Sequence, residues 1–485
     1  MGLSTSTEPK QFDAIPSAIC AAMSNAIPLG FPGQPQTLRA ASAHAATGTV
    51  DPAVARRVAN VLRIHLVLVV VTQKFALPIS GEIQIAFAML LQYAVFGIFM
   101  LMGVLRVHLV RALMVLAFVS FAMIVHAVYN ADVGYSPGSL FLLTLILTMY
   151  AFVVPMDEEN YNRILRTFQL IAVGASVLVY FNWGTQFAGL GMFNLEDFIP
   201  DKFQYINYVY MNKLVWNLPW YKPNGIVFLE VSHLSQFIGM ALVIELARFR
   251  RLKYAALYAV ALLCSFGGTG TLLVLASAPF LLVMLPRKFI VAVVLAAPLL
   301  LAVAAQIGVL DNFTKRATEF GTEKSSGYNR FVLPAVTSTN ALERDGLGGL
   351  LGSGAGSIPA GDPTKGGVNG FAWSPYAKVI YEYGLIGFLL WLPLTLYAIF
   401  NRGIPFIICW IAFLQYNFLN GALNVPLHTV YCYVLAATYV MMPTAKSQPA
   451  AEPAPRPLRG RRQASASAAN VSPATPPSAG RPLSP

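Results

Sequence analysis

Apolar runs of 17 to 25 residues recur through most of this chain, and a run of that length crosses a ~30 Å hydrocarbon core as a helix. Twelve such spans are expected, near 61–79, 82–103, 109–129, 138–155, 164–186, 225–246, 254–267, 269–285, 288–308, 376–399, 404–420 and 427–443. The least separated are the seventh and eighth, with only Gly267-Gly268-Thr269-Gly270 between them. Strands of a membrane barrel would instead alternate over about ten residues. Of the 485 residues 56% are hydrophobic and 11% charged, too few charges to coat a water-soluble body, which usually carries about 25%. The expected class is all-α and polytopic, embedded in the membrane.

The net charge of +12 raises the question of nucleic acid. The basic residues, however, sit in short loops and in the tail, which is a topology signal rather than a binding stripe. With the amino terminus inside, the short inner loops hold Arg106, Arg111, Arg163, Arg166, Arg248, Arg250, Arg251, Lys253, Arg287, Lys288 and Arg402, while the short outer loops near 80, 134, 268 and 424 hold no lysine or arginine. This bias sets orientation and puts both termini in the cytoplasm. Residues 1–55 and 444–485 are rich in Ala, Ser and Pro without helical periodicity. We expect a disordered leader and a disordered tail flanking a membrane domain over 56–443. The order of a secretory signal, basic and then apolar, is missing from 1–35. Cys264, Cys409 and Cys432 fall inside apolar runs and Cys20 in the leader, with no metal-ligand spacing.

Two long loops then lie outside. Residues 187–224 are crowded with aromatics, including Phe193, Phe198, Tyr205, Trp216 and Trp220, a density that suits a helix lying in the headgroup layer. Residues 309–375 carry an expected amphipathic helix around Asn329–Arg344 and then a glycine-rich stretch from Gly346 to Gly356, read as a flexible turn. Loops of this length are usually functional or disordered, and their apolar content argues against disorder.

Four constellations stand out. Lys222-Pro-Asn-Gly-Ile-Val-Phe-Leu-Glu230-Val-Ser-His233 enters the sixth span from outside. Glu230 and His233, three apart, are expected on one helix face. They are either a mutually satisfied pair that pins packing or a base and orienting group at a cavity mouth. Tyr328-Asn329-Arg330 opens the helix of the large loop. A guanidinium there suits phosphate oxygens, the plainer reading being an arginine facing headgroups, as for Lys315 and Arg344. The glycines lack the Lys-Ser/Thr of a phosphate-binding loop. Glu382, in Tyr381-Glu-Tyr-Gly-Leu-Ile-Gly387, sits about two turns into the tenth span, either as a cavity carboxylate or as the partner of a loop lysine. His126 and His428 read as hydrogen-bonded anchors near outer helix ends. No acidic cluster marks a metal site.

Taken together, Tyr328-Asn329-Arg330, Gly352-Ser-Gly354 and Glu382-Tyr-Gly384-Leu-Ile-Gly387 resemble the bacterial O-antigen polymerase/ligase superfamily over roughly residues 60–440. Lys222 to His233 resembles the basic-x-x-Gly…Glu-Pro-Ser-His segment of its exopolysaccharide polymerases, with Val231 in place of the proline. Phe266-Gly-Gly-Thr-Gly-Thr271 resembles the family's Ser/Gly-Thr-Gly helix start. The ligase branch has a His-Asn where this chain has Trp373-Ser374-Pro375-Tyr376, which favours a polymerase over a ligase. The resemblance implies joining of polyprenyl-diphosphate-linked repeat units on the periplasmic side of the inner membrane, with no cofactor or metal. Its implied partners are the lipid-linked oligosaccharide, membrane lipids, and chain-length and export proteins. Glu230, His233 and Arg330 would then be catalytic, and Lys222, Tyr328, Asn329 and Glu382 would bind substrate. A flippase is the rival of another class, but no repeat relates the two halves and the polar residues gather near the outer surface rather than at the midplane.

Overall fold

A computed structural model describes residues 26–28, 50–80, 83–128, 136–205, 211–214, 219–286, 327–344, 346–358, 373–419 and 426–443, with isolated positions at 291, 302, 318, 321, 322, 325 and 423. The expected span 288–308 apart from 291 and 302, parts of the loop 309–375 including 309–317 and 359–372, and nearly all of the two terminal segments lie outside the described residues.

The protein is mostly helical. After a short strand β1 (Ala26–Pro28), the longer helices among the described residues are α1 (Pro52–Val71), α2 (Phe87–Leu101), α3 (Leu109–Val128), α4 (Pro137–Thr148), α5 (Glu158–Phe187), α6 (Val231–Ile244), α7 (Leu252–Ser265), α8 (Gly268–Met284), α9 (Leu333–Leu342), α10 (Pro375–Ile399), α11 (Phe406–Asn417) and α12 (Pro426–Cys432). Among the described residues three stretches are long and apolar enough to cross a membrane: Leu109–Ala127, Glu158–Phe187 and Pro375–Ile399. Their outward faces carry exposed Leu113, Leu116, Ile124, Leu170, Val177 and Leu389, a surface that suits hydrocarbon rather than water.

Sequence-local chemistry starts several helices. Asp51 caps α1 by accepting from the Ala53 N–H at 2.8 Å, with Pro52 in the first turn. Asp157 caps α5 through the Asn160 N–H at 2.7 Å, and Glu158 and Glu159 follow in the first turn, where the helix dipole favours them. The close pair α7 and α8 resolves into two helices because Phe266 takes a left-handed conformation, φ 55°, that stops the first.

The structure departs from an all-α reading at the helix ends. The expected span 61–79 stops at Val71, and the chain turns through Lys74 into a hairpin of β2 (Ala76–Ser80) and β3 (Ile83–Ala86); Pro78 has no N–H to continue a helix. At another place β1, β4 (Arg106–His108), β5 (Phe152–Met156) and β6 (Tyr439–Met441) form one sheet in that order. β5 and β6 run parallel, and the other pairs are antiparallel. Pro155 interrupts helix propensity at the end of the fourth expected span. The aromatic loop 187–224 shows only 3-10 turns at Leu195–Phe198 and Asp201–Phe203 among its described residues, not a helix lying flat. Its Gln204 reaches three backbone carbonyl or carboxylate acceptors within its own turn, so local side-chain bonding displaces helical pairing.

One arginine of the inner loops is structural. Arg111 lies within α3, is 2% exposed, and donates to the Ala437 carbonyl at 2.5 Å.

Candidate functional site

The segment before α6 is not helical. Asn224 Oδ1 accepts from the Ile226 N–H at 2.9 Å, and Gly225 and Ile226 both have φ near 65°. For a β-branched residue that conformation is an outlier which only surrounding structure can hold. Lys222 stands half-buried at the start of this turn, its backbone N–H on the Asn212 carbonyl at 2.8 Å. Phe228 and Leu229 are buried and anchor the turn.

Glu230 is therefore the residue before the first turn of α6, with extended backbone (φ −143°, ψ 163°), and does not share a helix face with His233. The two side chains diverge. Glu230 Oε2 accepts from Ser232 Oγ at 2.9 Å and from Arg330 Nη2 at 3.1 Å. His233, 6% exposed, packs its ring against His428 of α12, centroids 4.3 Å apart and planes at 75°. The Arg330 charge still reaches His233 electrostatically.

Arg330 is carried by a π-helical turn, Tyr328–Val332, that runs directly into α9; such turns recur at functional sites. Ser325 starts it, accepting from the Asn329 N–H at 3.0 Å through its carbonyl and from the Tyr328 N–H at 3.1 Å through its hydroxyl. Tyr328 and Asn329 are half-exposed beside Arg330 in the chain. The Glu230–Arg330 pair itself stays partly open, with side chains 16% and 30% exposed.

A close helix crossing holds α6 in place. A Cβ on Gly267 would lie 2.2 Å from Ser235 Cβ, and one on Gly270 would lie 2.0 Å from the Ser235 carbonyl. Ser235 Oγ meets Thr269 Oγ1 at 3.3 Å and accepts from the Gly270 N–H at 3.2 Å. The Gly-Gly-Thr-Gly motif thus sets the position of α6 rather than touching the Glu230–Arg330 pair.

Glu382 belongs to a second cluster. It is 1% exposed; its Oε1 accepts from the Gly356 N–H at 3.0 Å and lies 3.5 Å from Nζ of Lys378, one turn earlier in α10. The glycine-rich stretch is not a flexible turn but a wedge into the kink of this helix. Gly384 has φ 64° and ψ −165° inside α10, and a Cβ there would lie 2.3 Å from the Leu350 carbonyl. A Cβ on Gly352, opposite it, would lie 2.5 Å from the Glu382 carbonyl carbon. Arg344 lies over the Tyr381 ring at 4.4 Å and donates to Ser353 Oγ, so it secures the wedge instead of facing headgroups.

The structure therefore joins Glu230, His233 and Arg330, sets Tyr328 and Asn329 beside them in the chain, and gives Glu382 other partners. It adds Gln236 and Gln415, which sequence reasoning passed over, beside His428, read from the sequence as a hydrogen-bonded anchor. Gln415 Nε2 lies 2.8 Å from His428 Nδ1 and 3.0 Å from Gln236 Oε1, and Gln236 Nε2 donates to the Leu419 carbonyl at 3.1 Å. All three side chains are fully buried. Their signal was present as single polar residues inside apolar runs, each costly unless partnered. Among the described residues no group of three or more His, Cys, Asp or Glu side chains is placed to hold a metal ion.

Membrane-length apolar helices define an integral membrane protein, in which an arginine and a carboxylate pair close to a buried imidazole. The WcaD colanic acid polymerase family pattern matches residues 57–400, most of the chain, and the protein belongs to that family. It is accordingly a polymerase that joins repeat units into an exopolysaccharide. No curated protein and no solved structure matches the chain.

Proposed function

We propose that polymerisation takes place at the periplasmic face of the inner membrane, with polyprenyl-diphosphate-linked repeat units as donor and acceptor, and that Arg330, Glu230 and His233 form its centre. The observation that carries this reading is the 3.1 Å ion pair between Arg330 and Glu230. It brings the two segments that frame the outer loops onto one spot, beside a nearly buried imidazole.

The chemistry follows from the side chains. A hydroxyl oxygen of the acceptor sugar attacks the anomeric carbon of the donor. The bond from that carbon to the diphosphate oxygen breaks, and the diphosphate leaves with the electron pair. Arg330 meets the departing charge, a permanent cation that accommodates two oxygens at once. Glu230 is engaged by Arg330 and Ser232 and holds the guanidinium in place. His233 then receives the hydroxyl proton. Lys222, Tyr328 and Asn329 line the approach to Arg330, while Glu382 acts at a distance by keeping the wedge on α10. No step calls for a metal or cofactor, and chelation with EDTA should leave the rate unchanged.

The orientation rests on the eleven inner-loop lysines and arginines and completes twelve spans with both termini cytoplasmic. Chain-length and export proteins are the expected neighbours on the periplasmic side. The test is polymer formation in a polymerase-null strain by Arg330→Ala and Arg330→Lys, each at wild-type abundance. Accumulation of single lipid-linked repeat units supports the reading; full-length polymer from both variants overturns it. Long polymer left on the carrier would instead identify a ligase.

A further inference from the structure

The buried amides beside His233 have only one consistent direction. The Leu419 carbonyl is an acceptor alone, so the Gln236 group 3.1 Å away must be its NH2. That turns the Gln236 carbonyl toward Gln415, whose NH2 must face it at 3.0 Å. The second hydrogen of the same Gln415 NH2 then points at His428 Nδ1, 2.8 Å away. An amide nitrogen cannot accept, so His428 Nδ1 carries a lone pair and its proton sits on Nε2. A protonated imidazolium, which needs hydrogens on both nitrogens, does not fit this position. The orientation of an amide is usually assigned from its surroundings; here a backbone carbonyl fixes the whole chain of groups.

The ring so fixed is fully buried and packs edge-to-face on His233, with Tyr431 on another side at 5.5 Å. His428 Nε2 has no hydrogen-bond partner among the described residues. Two consequences bear on His233. Its ring plane is set by a neighbour that cannot rotate without breaking its buried hydrogen bond to Gln415. That neighbour is neutral, so it does not oppose a positive charge arriving on His233, as an imidazolium at 4.3 Å would.

We propose that His428, locked in its Nε2–H form by Leu419, Gln236 and Gln415, is a positioning residue that orients His233 and keeps it able to take the acceptor's proton. This rests on the reading of His233 given above. Gln415 and His428 lie beyond the stretch that matches the family.

The test uses full-length protein in detergent with lipid-linked repeat units as substrate. His428→Ala and Gln415→Glu, the second of which draws a proton onto Nδ1, should each lower kcat by about 10- to 100-fold, the scale of a displaced catalytic group. KM should stay within about twofold, since neither side chain is placed to touch substrate. His428→Gln, neutral and able to accept from Gln415, should recover a large part of the loss. Nitrogen-15 spectra of histidine-labelled protein, with the His428 signal identified by its absence in His428→Gln, should show the proton on Nε2, and on Nδ1 in Gln415→Glu. Wild-type protein with the proton on Nδ1 overturns the proposal, whether or not the alanine variant folds. Full activity of His428→Ala beside inactive His233→Ala and Arg330→Ala overturns it alone. Full activity of His233→Ala overturns it together with the reading beneath it.

Discussion

The two ends of α6 each carry a glutamate paired with an arginine, and the pairs are built for different purposes. At the C-terminal end Glu245 is fully buried and engages Arg251, six residues on, through both oxygens: Oε1 with Nε at 2.9 Å and Oε2 with Nη2 at 2.7 Å. Oε1 also accepts the Arg251 N–H at 2.9 Å. A carboxylate at that end faces the negative pole of the helix, and it is tolerated there because three donors surround it. At the N-terminal end Glu230 sits at the favourable pole, needs less help, and offers one oxygen to an arginine from a distant loop. The first pair is local, closed and part of the fold. The second is long-range and half-open, as suits the proposed role of giving its arginine to a substrate.

The contrast can be broken by experiment. Arg251→Ala leaves Glu245 buried without its cation and should cost about 3 kcal/mol, the low end of the range for such losses because the Arg251 side chain is 40% exposed. Thermal unfolding in detergent would register it; a midpoint equal to wild type would show the closed pair to be dispensable. Gly384→Ala forces a side chain into a conformation reserved for glycine and against the Leu350 carbonyl. It should destabilise by about 2 kcal/mol, and its effect on polymer should follow protein abundance. Unchanged abundance with lost activity would move Glu382 and its wedge into the chemistry.

Glu230→Gln marks the open pair. It should leave the unfolding midpoint nearly unchanged and slow polymerisation about tenfold, a barrier change of about 1.4 kcal/mol, because Arg330 loses its guide rather than its charge. A large drop in midpoint with normal specific activity would make the two ends of α6 equivalent.

The smallest effect concerns a buried cation held by an amide. Lys74 lies in the turn beyond α1, fully buried, donating to Asn194 Oδ1. Burial lowers its pKa from 10.5 to about 8, offset in part by Glu196 and Asp197. Between pH 8 and 10.5 the unfolded chain keeps this proton and the folded chain has lost it, so stability should rise with pH across that window. Lys74→Met should flatten the rise; an identical slope in both proteins would place the effect elsewhere.

Much of the architecture was legible because apolar length is a coarse signal. The stretches 164–186 and 376–399 reappear within Glu158–Phe187 and Pro375–Ile399. What failed were the ends, where Pro78 and Pro155 turn expected helix into strand. The glycine stretch misled for a related reason: composition shows freedom of the backbone but not what fills the space, which here is the kink at Gly384. In the site, Arg330 and Glu230 were legible as costly charges in their settings, while their contact, spanning 100 residues of sequence, was not. His428 was legible as a hydrogen-bonded anchor, but a lone histidine carries no sign of the ring that crosses it in space.

The parallel pairing of Val154–Met156 with Tyr439–Met441 has a consequence for the order of synthesis. A chain emerging from the ribosome completes α5 and β5 long before their partner strand exists, so that seam stays open until the last helices are inserted. The same late segment brings the His428 ring to His233. On the roles proposed above, a nascent polymerase has its arginine and carboxylate in reach before the imidazole beside them is held in place, and it becomes competent only as its final turns arrive.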